Sequence, residues 1–560
     1  MNLIRETLIG LTICIMLFST SCTAITTPPA EEKPTPFLPV QATPTRKPPD
    51  QVTLFLSENI PGDWQEAIRS IPDITLTDDR ADADLLFIPS VGDKINSTIF
   101  SSSRVYAVAV PFFTVNDAIS SDDLSALWKG STSGSLYQTI LVSEPTSAVL
   151  SEVWGKPGKN VSVTPSDELL GLAEESTGTL AIIPFEEISP RWKILTIDGL
   201  SPLDKPFKQD EYALTVQFQL KSVLADPAQT EEIAQEFADI LPLSNRDESK
   251  MTVLVMTGTT AITRGLAYKV TINDTDYPIE AVKDWFLTAD LRHVSNEIPF
   301  VVDCPEPDPY TSSLVFCASP EMIEVLEKIG VNVVELTGNH ENDYGPENLV
   351  STLQMYADRG WAVFAAGLDP ESARSPVLIE SNGNKIAFIG CNPVGPNSVW
   401  AKEDHPGVAE CDFDYLTETI GDLKDQGYVV VTTFQHEELT KQDGAAAVLM
   451  YAEAISKDFQ SVAEAGSDIV QGSQAHYPMG FEFVGDNLIH YGLGNFLFDQ
   501  MWDPNRQEFI DRHIIYDGKY INTEILTAVL MDWSRPIPMT ASERSQFLEE
   551  IFTASLKRKK

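Results

Sequence analysis

The sequence predicts an α/β protein made of two successive α/β domains. Three observations carry that expectation. Apolar runs of strand length alternate with helix-length segments from about residue 51 to past 490. A polar break, PLSNRDESKM at 242–251, interrupts the alternation before a new series opens at TVLVMTG, 252–258. In the second series, side chains able to do chemistry gather just after the apolar runs, where open α/β sheets place their sites. Domains are therefore expected over 51–245 and 250–545, and strands alternating with helices argue for parallel sheets covered by helices.

Residues 1–22 read as a lipoprotein-type signal peptide. Arg5 supplies the positive start, LIGLTICIMLF at 8–18 the apolar core, and small residues lead to Cys22. That core is short against the ~20 residues a membrane span needs. The stretch resembles a bacterial lipoprotein box, with Ser19 standing where Leu is common, and Cys22 is the lipidation candidate. Secretion without an anchor is the alternative. Residues 23–50 are rich in Pro and Thr without hydrophobic period, an extended linker.

From there VTLFLS (52–57) predicts a strand and PGDWQEAIRS (61–70) a helix. DADLLFIPS (82–90) and VYAVAVPFF (105–113) predict buried strands, and SSDDLSALWKG (120–130) a helix opened by an N-cap serine. QTILVSE (138–144), TLAIIPFEEI (179–188) and WKILTIDG (192–199) follow as strands, with a helix over 146–155. In the second half, strands are expected at 252–258, 331–338, 361–367, 385–391, 428–436, 467–473 and 487–495. Helices are expected at 320–330, 346–360, 411–427 and 456–466. No internal repeat is visible, and the closing KRKK reads as a solvated end.

The 560 residues carry a formal charge of −43 with 43% hydrophobic residues. Such acidity excludes nucleic acid and anionic membrane surfaces as electrostatic partners. Of six cysteines, Cys14 lies in the leader and Cys22 is the lipidation candidate. Cys304, Cys317, Cys391 and Cys411 allow three pairings, nearest-neighbour pairs being the simplest. The absence of C-x-x-C argues against a cysteine zinc site.

The chemistry-bearing residues are Arg264 after the 252–258 strand, Glu297, then Asn339, His340, Glu341 and Asp343 after VNVVELTG. His436, Glu437 and Glu438 follow YVVVTTFQ, and His476 follows DIVQGSQ. Parallel strands put their carboxyl ends along one edge, so these groups can converge although distant in sequence. Imidazole, carboxamide and carboxylate together suit divalent metals. Two metals ~3.5–4 Å apart can clamp a phosphoryl group and activate water, and a nearby histidine can protonate the leaving oxygen. Taken singly each piece has a plainer reading: Asn339 and His340 as turn formers, His436 as a strand end, Asp343 as a cap.

The pieces G-T-T-A-I-T-R (258–264), S-N-E (295–297), G-N-H-E-N-D-Y-G (338–345), F-Q-H-E-E (434–438), G-S-Q-A-H (472–476) and Y-G-L-G-N-F-L-F-D (491–499) occur in that order. Over roughly 250–540 the chain resembles the capsule-synthesis CapA family, associated with poly-γ-glutamate capsule and similar to calcineurin-like metallophosphoesterases. The resemblance implies an α/β/β/α metallophosphatase-like sandwich. It implies metal ligands at Glu297, Asn339, His436 and His476, a proton donor at His340, and supporting roles for Arg264 and Asp343. For His436 one plausible register puts Phe434 at the family position instead. Two positions depart from the family: Thr259 stands where an aspartate is usual, and Gln474 where a histidine is usual. Both are weaker ligands, so the site is expected to hold a divalent metal (Mn, Zn or Fe) singly or not at all.

The first domain, with VAVPFFTVNDAISSDDLSALWKG (107–130), resembles phosphate-type periplasmic binding proteins. That likeness implies a small oxyanion or similar solute in a cleft, with Ser143, Thr146 and Ser147 as its hydroxyls; an ordinary N-cap cluster is the alternative. The joint expectation is an extracytoplasmic, lipid-anchored protein of capsule synthesis. Its metallophosphatase-like, degenerate-looking site would attack a phosphoester or an amide-like polymer link. The expected partners are the membrane, through the lipid, and a polyanionic capsule polymer or a phosphoester. The rival is a non-enzymatic surface protein that binds polymer or solute; a solute receptor led by the first domain is a third reading.

Overall fold

A computed structural model of the chain describes residues 52–90, 97–132, 134–224, 226–436, 449–451 and 453–558. The leader, Cys22, the Pro/Thr-rich stretch, Glu437, Glu438 and the last two lysines lie outside the described residues.

All strands of the first sheet lie within residues 52–222. Its order runs Ile74–Thr77, Val52–Leu56, Leu85–Pro89, Thr215–Ser222, Thr98–Pro111, Thr179–Pro184, Thr139–Val142, Val161–Val163. The sheet is mixed where the alternation pattern predicts a parallel one. Thr215–Ser222 runs antiparallel to both neighbours, and the 14-residue strand Thr98–Pro111 runs antiparallel to Thr179–Pro184. The Ser121–Trp128 helix opens as expected, with Ser120 Oγ accepting from Asp123 N at 3.0 Å.

Residues 251–538 build two large sheets that face each other, beside a small two-stranded one of Ala366–Gly367 and Gly407–Val408. One is ordered Ala362–Phe364, Val333–Glu335, Leu291–Asn296, Met251–Thr257, Gln507–Tyr516, Lys519–Met531, Arg535–Pro538. The other is ordered Val377–Ser381, Asn384–Cys391, Val429–Gln435, Ile469–Ser473, Asn487–His490, Phe481–Val484. The period-2 alternation decides what faces what. Leu254 and Met256 point into a core shared with Phe388, Val431, Ile469 and Leu488 of the opposite sheet. Val253 and Val255 point to the outer layer, where Leu266, Leu326 and Leu349 lie on helices. On the far side, Ala387, Ile389 and Val430 meet Leu416, Ile420, Phe459 and Val462 of the helices Phe413–Asp425 and Glu453–Glu464. The layers are therefore helix, sheet, sheet, helix, the α/β/β/α sandwich. Each fully buried aliphatic side chain in these layers contributes about 1.5–3 kcal/mol of transfer free energy.

This sandwich is also mixed. Gln507–Tyr516 and Lys519–Met531 form an antiparallel hairpin closed by Asp517 and Gly518, both at positive φ (50° and 79°), the two-residue turn for which Asp-Gly is suited. The disulfides are Cys304–Cys317 and Cys391–Cys411. The first sheet's residues touch the sandwich directly: Arg544 donates to both carboxylate oxygens of Asp117 at 2.7 and 2.9 Å, and Phe112 meets Phe481 edge-on at 5.4 Å.

Between the two facing sheets lies a polar layer. His490 Nδ1 bonds Asp511 Oδ2 at 2.6 Å, Gln471 Nε2 donates to the same oxygen at 3.0 Å, and His513 bonds Thr523 at 2.6 Å; all are buried.

Candidate functional site at the strand ends

The parallel neighbours Leu291–Asn296 and Val333–Glu335 end at Glu297 and at Asn339. In the facing sheet the parallel neighbours Val429–Gln435 and Ile469–Ser473 end alongside. The Gly338 turn lets the Asn339 loop close on Glu297. A Cβ at Gly338 would lie 2.5 Å from the Glu297 Cα, so no other residue fits there without moving the backbone.

At the centre stands Gln435, which sequence reasoning passed over. Its Nε2 donates to Glu297 Oε2 at 3.1 Å and to Asn339 Oδ1 at 3.3 Å. The orientation of this amide is fixed by its neighbour. Asn392 Oδ1 accepts from the backbone N–H groups of Val394 and Gly395 at 2.9 and 2.7 Å, so Asn392 presents its NH2 to Gln435 Oε1 at 3.1 Å. The Gln435 NH2 therefore faces the acid. Strand alternation offers the signal that could have found it: in VVVTTFQH, positions 434 and 436 share one face and 435 takes the other.

His436, expected as a ligand there, takes the other face of the strand. Its Nε2 bonds Asp458 Oδ2 at 2.8 Å, and its ring lies with Phe459 at 5.6 Å, the same ring that Phe434 meets at 5.0 Å. The physical reason is the one-residue register: the residue that faces Glu297 is the glutamine before it.

His340 and His476 lie in a neighbouring aromatic group. His340 Nδ1 bonds Asp343 Oδ2 at 2.7 Å, and the same oxygen accepts from Phe316 N at 2.7 Å, tying the disulfide loop to the histidine. The Phe316 ring lies 4.5 Å from His340. Arg264 sits over Phe316 and Phe498 at 4.7 and 5.1 Å and pairs with Asp499, which also accepts from Gly265 N at 2.8 Å. His476 stacks on Phe498 at 5.0 Å, and its Nδ1 bonds Asn495 Oδ1 at 2.8 Å. Gln474 and His476 both hold positive φ, 79° and 57°, a conformation uncommon for residues other than glycine. Thr259 is buried beside the cluster, its Cα in register with Ser295 and Asn495.

Several buried oxygens here have no hydrogen-bond partner among the described residues: Glu297 Oε1, Thr259 Oγ1, Gln474 Oε1 and both carboxyl oxygens of Glu341. Burial first, then the charges of Glu297 and Asp343, hold the Glu341 carboxyl well above the usual carboxylate range, which favours its neutral form.

The converged set of Glu297, Asn339 and Gln435 offers one carboxylate and no imidazole. Among the described residues no three His, Cys, Asp or Glu side chains lie within reach of one metal ion. The pole between Glu297 Oε2 and Asn339 Oδ1 is filled by an amide N–H donor. This donor set does not fit a pair of divalent metals.

Residues 253–500 match the family described as bacterial capsule synthesis protein PGA_cap. The match covers a little under half of the chain. Its similarity extends to the capsule biosynthesis protein CapA of Bacillus anthracis, 24% identical over 309 residues that cover 54% of this chain and 73% of that protein. The PGA biosynthesis protein CapA of Bacillus subtilis (strain 168) is 28% identical over 200 residues, 35% of this chain and about half (51%) of that protein. Among solved structures, an ABC-type phosphate transport receptor from Vibrio cholerae overlaps 33% of this chain and 93% of its own at TM-score 0.28 and 12% identity. NAD nucleotidase from Haemophilus influenzae overlaps 54% and 56% at TM-score 0.29 and 13% identity. The architecture above stands on this chain's own strand pairing.

Proposed function

We propose that this protein serves capsule assembly of the poly-γ-glutamate type from outside the cytoplasmic membrane, anchored through a lipid on Cys22. In this reading its strand-end site handles polymer through amide hydrogen bonding instead of two-metal hydrolysis. The family match over 253–500 supports the capsule context. The observation that carries the site reading is the Gln435 amide donating to both Glu297 and Asn339. An amide that spans a carboxylate and a carboxamide is the kind of contact that a peptide-like linkage also makes, which supports the reading. The charge of −43 opposes a polyanion at long range, so polymer affinity should rise as salt screens that repulsion.

A second reading, a metal-dependent hydrolase of phosphoesters with His340 assisting the leaving group, is favoured by one specific feature, the His340–Asp343 bond that orients the imidazole. One experiment separates the two. The purified full chain is stripped with EDTA, reloaded with Mn, Zn or Fe, and assayed for metal content, for turnover of a generic phosphoester, and for poly-γ-glutamate binding at low and high salt. The polymer reading expects no stoichiometric metal, no turnover, and binding that strengthens with salt. A stoichiometric metal lost in His476→Ala, together with turnover, would overturn it.

A further inference from the structure

The geometry points to a second binding site, in the cleft of the first sheet, selective for a linear oligoamine and closed to oxyanions. The cleft encloses about 870 Å³ and is lined from four elements that each present a carboxylate. Glu58 follows the Val52–Leu56 strand, Asp63 lies in the first turn of the Gly62–Arg69 helix, Glu144 opens the Glu144–Trp154 helix, and Glu187 follows the Thr179–Pro184 strand.

The simpler explanation is helix chemistry, since acids in first turns complement the helix dipole. It accounts for Asp63 and Glu144. It does not account for Glu58, which lies in a turn outside every helix, and explains Glu187 little, because the helix Phe185–Glu187 has only three residues. Arg104, the one lining cation among the described residues, offers an anion little, because its guanidinium is already shared between Asp63 (3.4 Å) and Glu186. Two of the hydroxyls expected to hold an oxyanion are tied to each other. Ser143 Oγ donates to Thr146 Oγ1 at 3.0 Å and accepts from Thr146 N at 3.4 Å, and Ser147 does not line the cleft.

A separate observation points to a ligand. Tyr106 lines the cleft at 2% exposure, and no hydrogen-bond partner among the described residues takes its hydroxyl. That hydroxyl lies among the charges of Arg104, Glu186, Glu187 and Asp63, and burial pushes it well above the usual tyrosine range, so it stays a neutral donor and acceptor. That hydroxyl stands at the cleft wall as a hydrogen-bonding group that an amine N–H can pair with.

The choice among cations follows from spacing. A metal ion needs carboxylates that converge, and no three acids, histidines or cysteines do so among the described residues. Carboxylates carried by four separate elements around a cleft of this volume suit several ammonium groups joined by methylenes, with Ile60 and Val149 in the lining to cover the stems.

The test is titration calorimetry of the full chain with spermidine and with inorganic phosphate. Spermidine is expected to bind with a defined stoichiometry and phosphate not to bind. An exposed ammonium–carboxylate pair is worth up to ~1 kcal/mol, about fivefold in affinity, so Glu58→Gln with Glu187→Gln should weaken spermidine roughly 25-fold. Tyr106→Phe, which removes only the oxygen, should weaken it about threefold or more. A control pair on the sandwich helices, Glu418→Gln with Glu464→Gln, should leave it unchanged. The site is overturned by absent spermidine binding, by phosphate binding in its place, or by equal losses in the cleft and control pairs, which would mark condensation on an acidic surface.

Discussion

Replacing Gln435 by glutamate would turn the central donor of the strand-end site into an acceptor of nearly the same shape. Gln435 Nε2 stands 3.1 Å from Glu297 Oε2. Two full charges at that separation repel by about 5 kcal/mol at an effective dielectric of ~20. The lost hydrogen bond to a carboxylate adds roughly 1.5–3 kcal/mol. Protonation of one partner caps the sum, so a net loss of about 3–5 kcal/mol is expected, in line with other broken buried polar pairs. A domain is stable by only about 5–15 kcal/mol, so this loss is large. The assay is urea unfolding of wild type and Gln435→Glu in EDTA and with added Mn²⁺. The variant should be strongly destabilised in EDTA and recover with Mn²⁺, because two carboxylates and the Asn339 oxygen make an oxygen donor set that the glutamine denies. Wild type should respond little to the metal. Equal stability of the two proteins in EDTA, or the same Mn²⁺ response in both, would refute the placement of residue 435 between Glu297 and Asn339.

Two further outcomes follow from the same structure. Gly338→Ala places a Cβ 2.5 Å from the Glu297 Cα, so a loss of about 1–3 kcal/mol is expected, read as a lowered thermal midpoint. Burial lowers His513 to about 4 from 6.5. Its geometry agrees, since Gln471 Nε2 meets His513 Nε2 at 3.0 Å and a second proton there would face a donor. The unfolded chain then binds the proton that the folded one refuses. Stability from this group is present above about pH 6.5 and is lost as pH falls towards 4, by up to ~3 kcal/mol. His513→Gln should flatten that acid limb in urea midpoints measured against pH.

Much of the fold was legible in the chain. The apolar runs at 252–258, 385–391, 428–436 and 467–473 are strands, and the helices between them lie where their period placed them. The antiparallel hairpin of Gln507–Tyr516 and Lys519–Met531 was passed over, although Asp517-Gly518 is a local turn signal that sequence reading can use. The long antiparallel strand pairing in the first sheet left no such mark, because pairing direction is set by which distant segments meet.

By itself the sequence determined which side chains stand at strand ends: local periodicity fixes where a strand stops, and a Gly-Asn-His turn after an apolar run needs no partner to be recognised. Only the tertiary structure decided which of those side chains meet. His436 and Gln435 are adjacent in the chain, yet the pleat sends one to Asp458 and the other to Glu297. The Gln435 amide in turn takes its direction from Asn392, whose own orientation is set by two backbone N–H groups in a loop 40 or so residues away in sequence. Strand ends are a property of short stretches; convergence, amide orientation and the filling of the acid's open side depend on contacts between sheets, which no local pattern encodes.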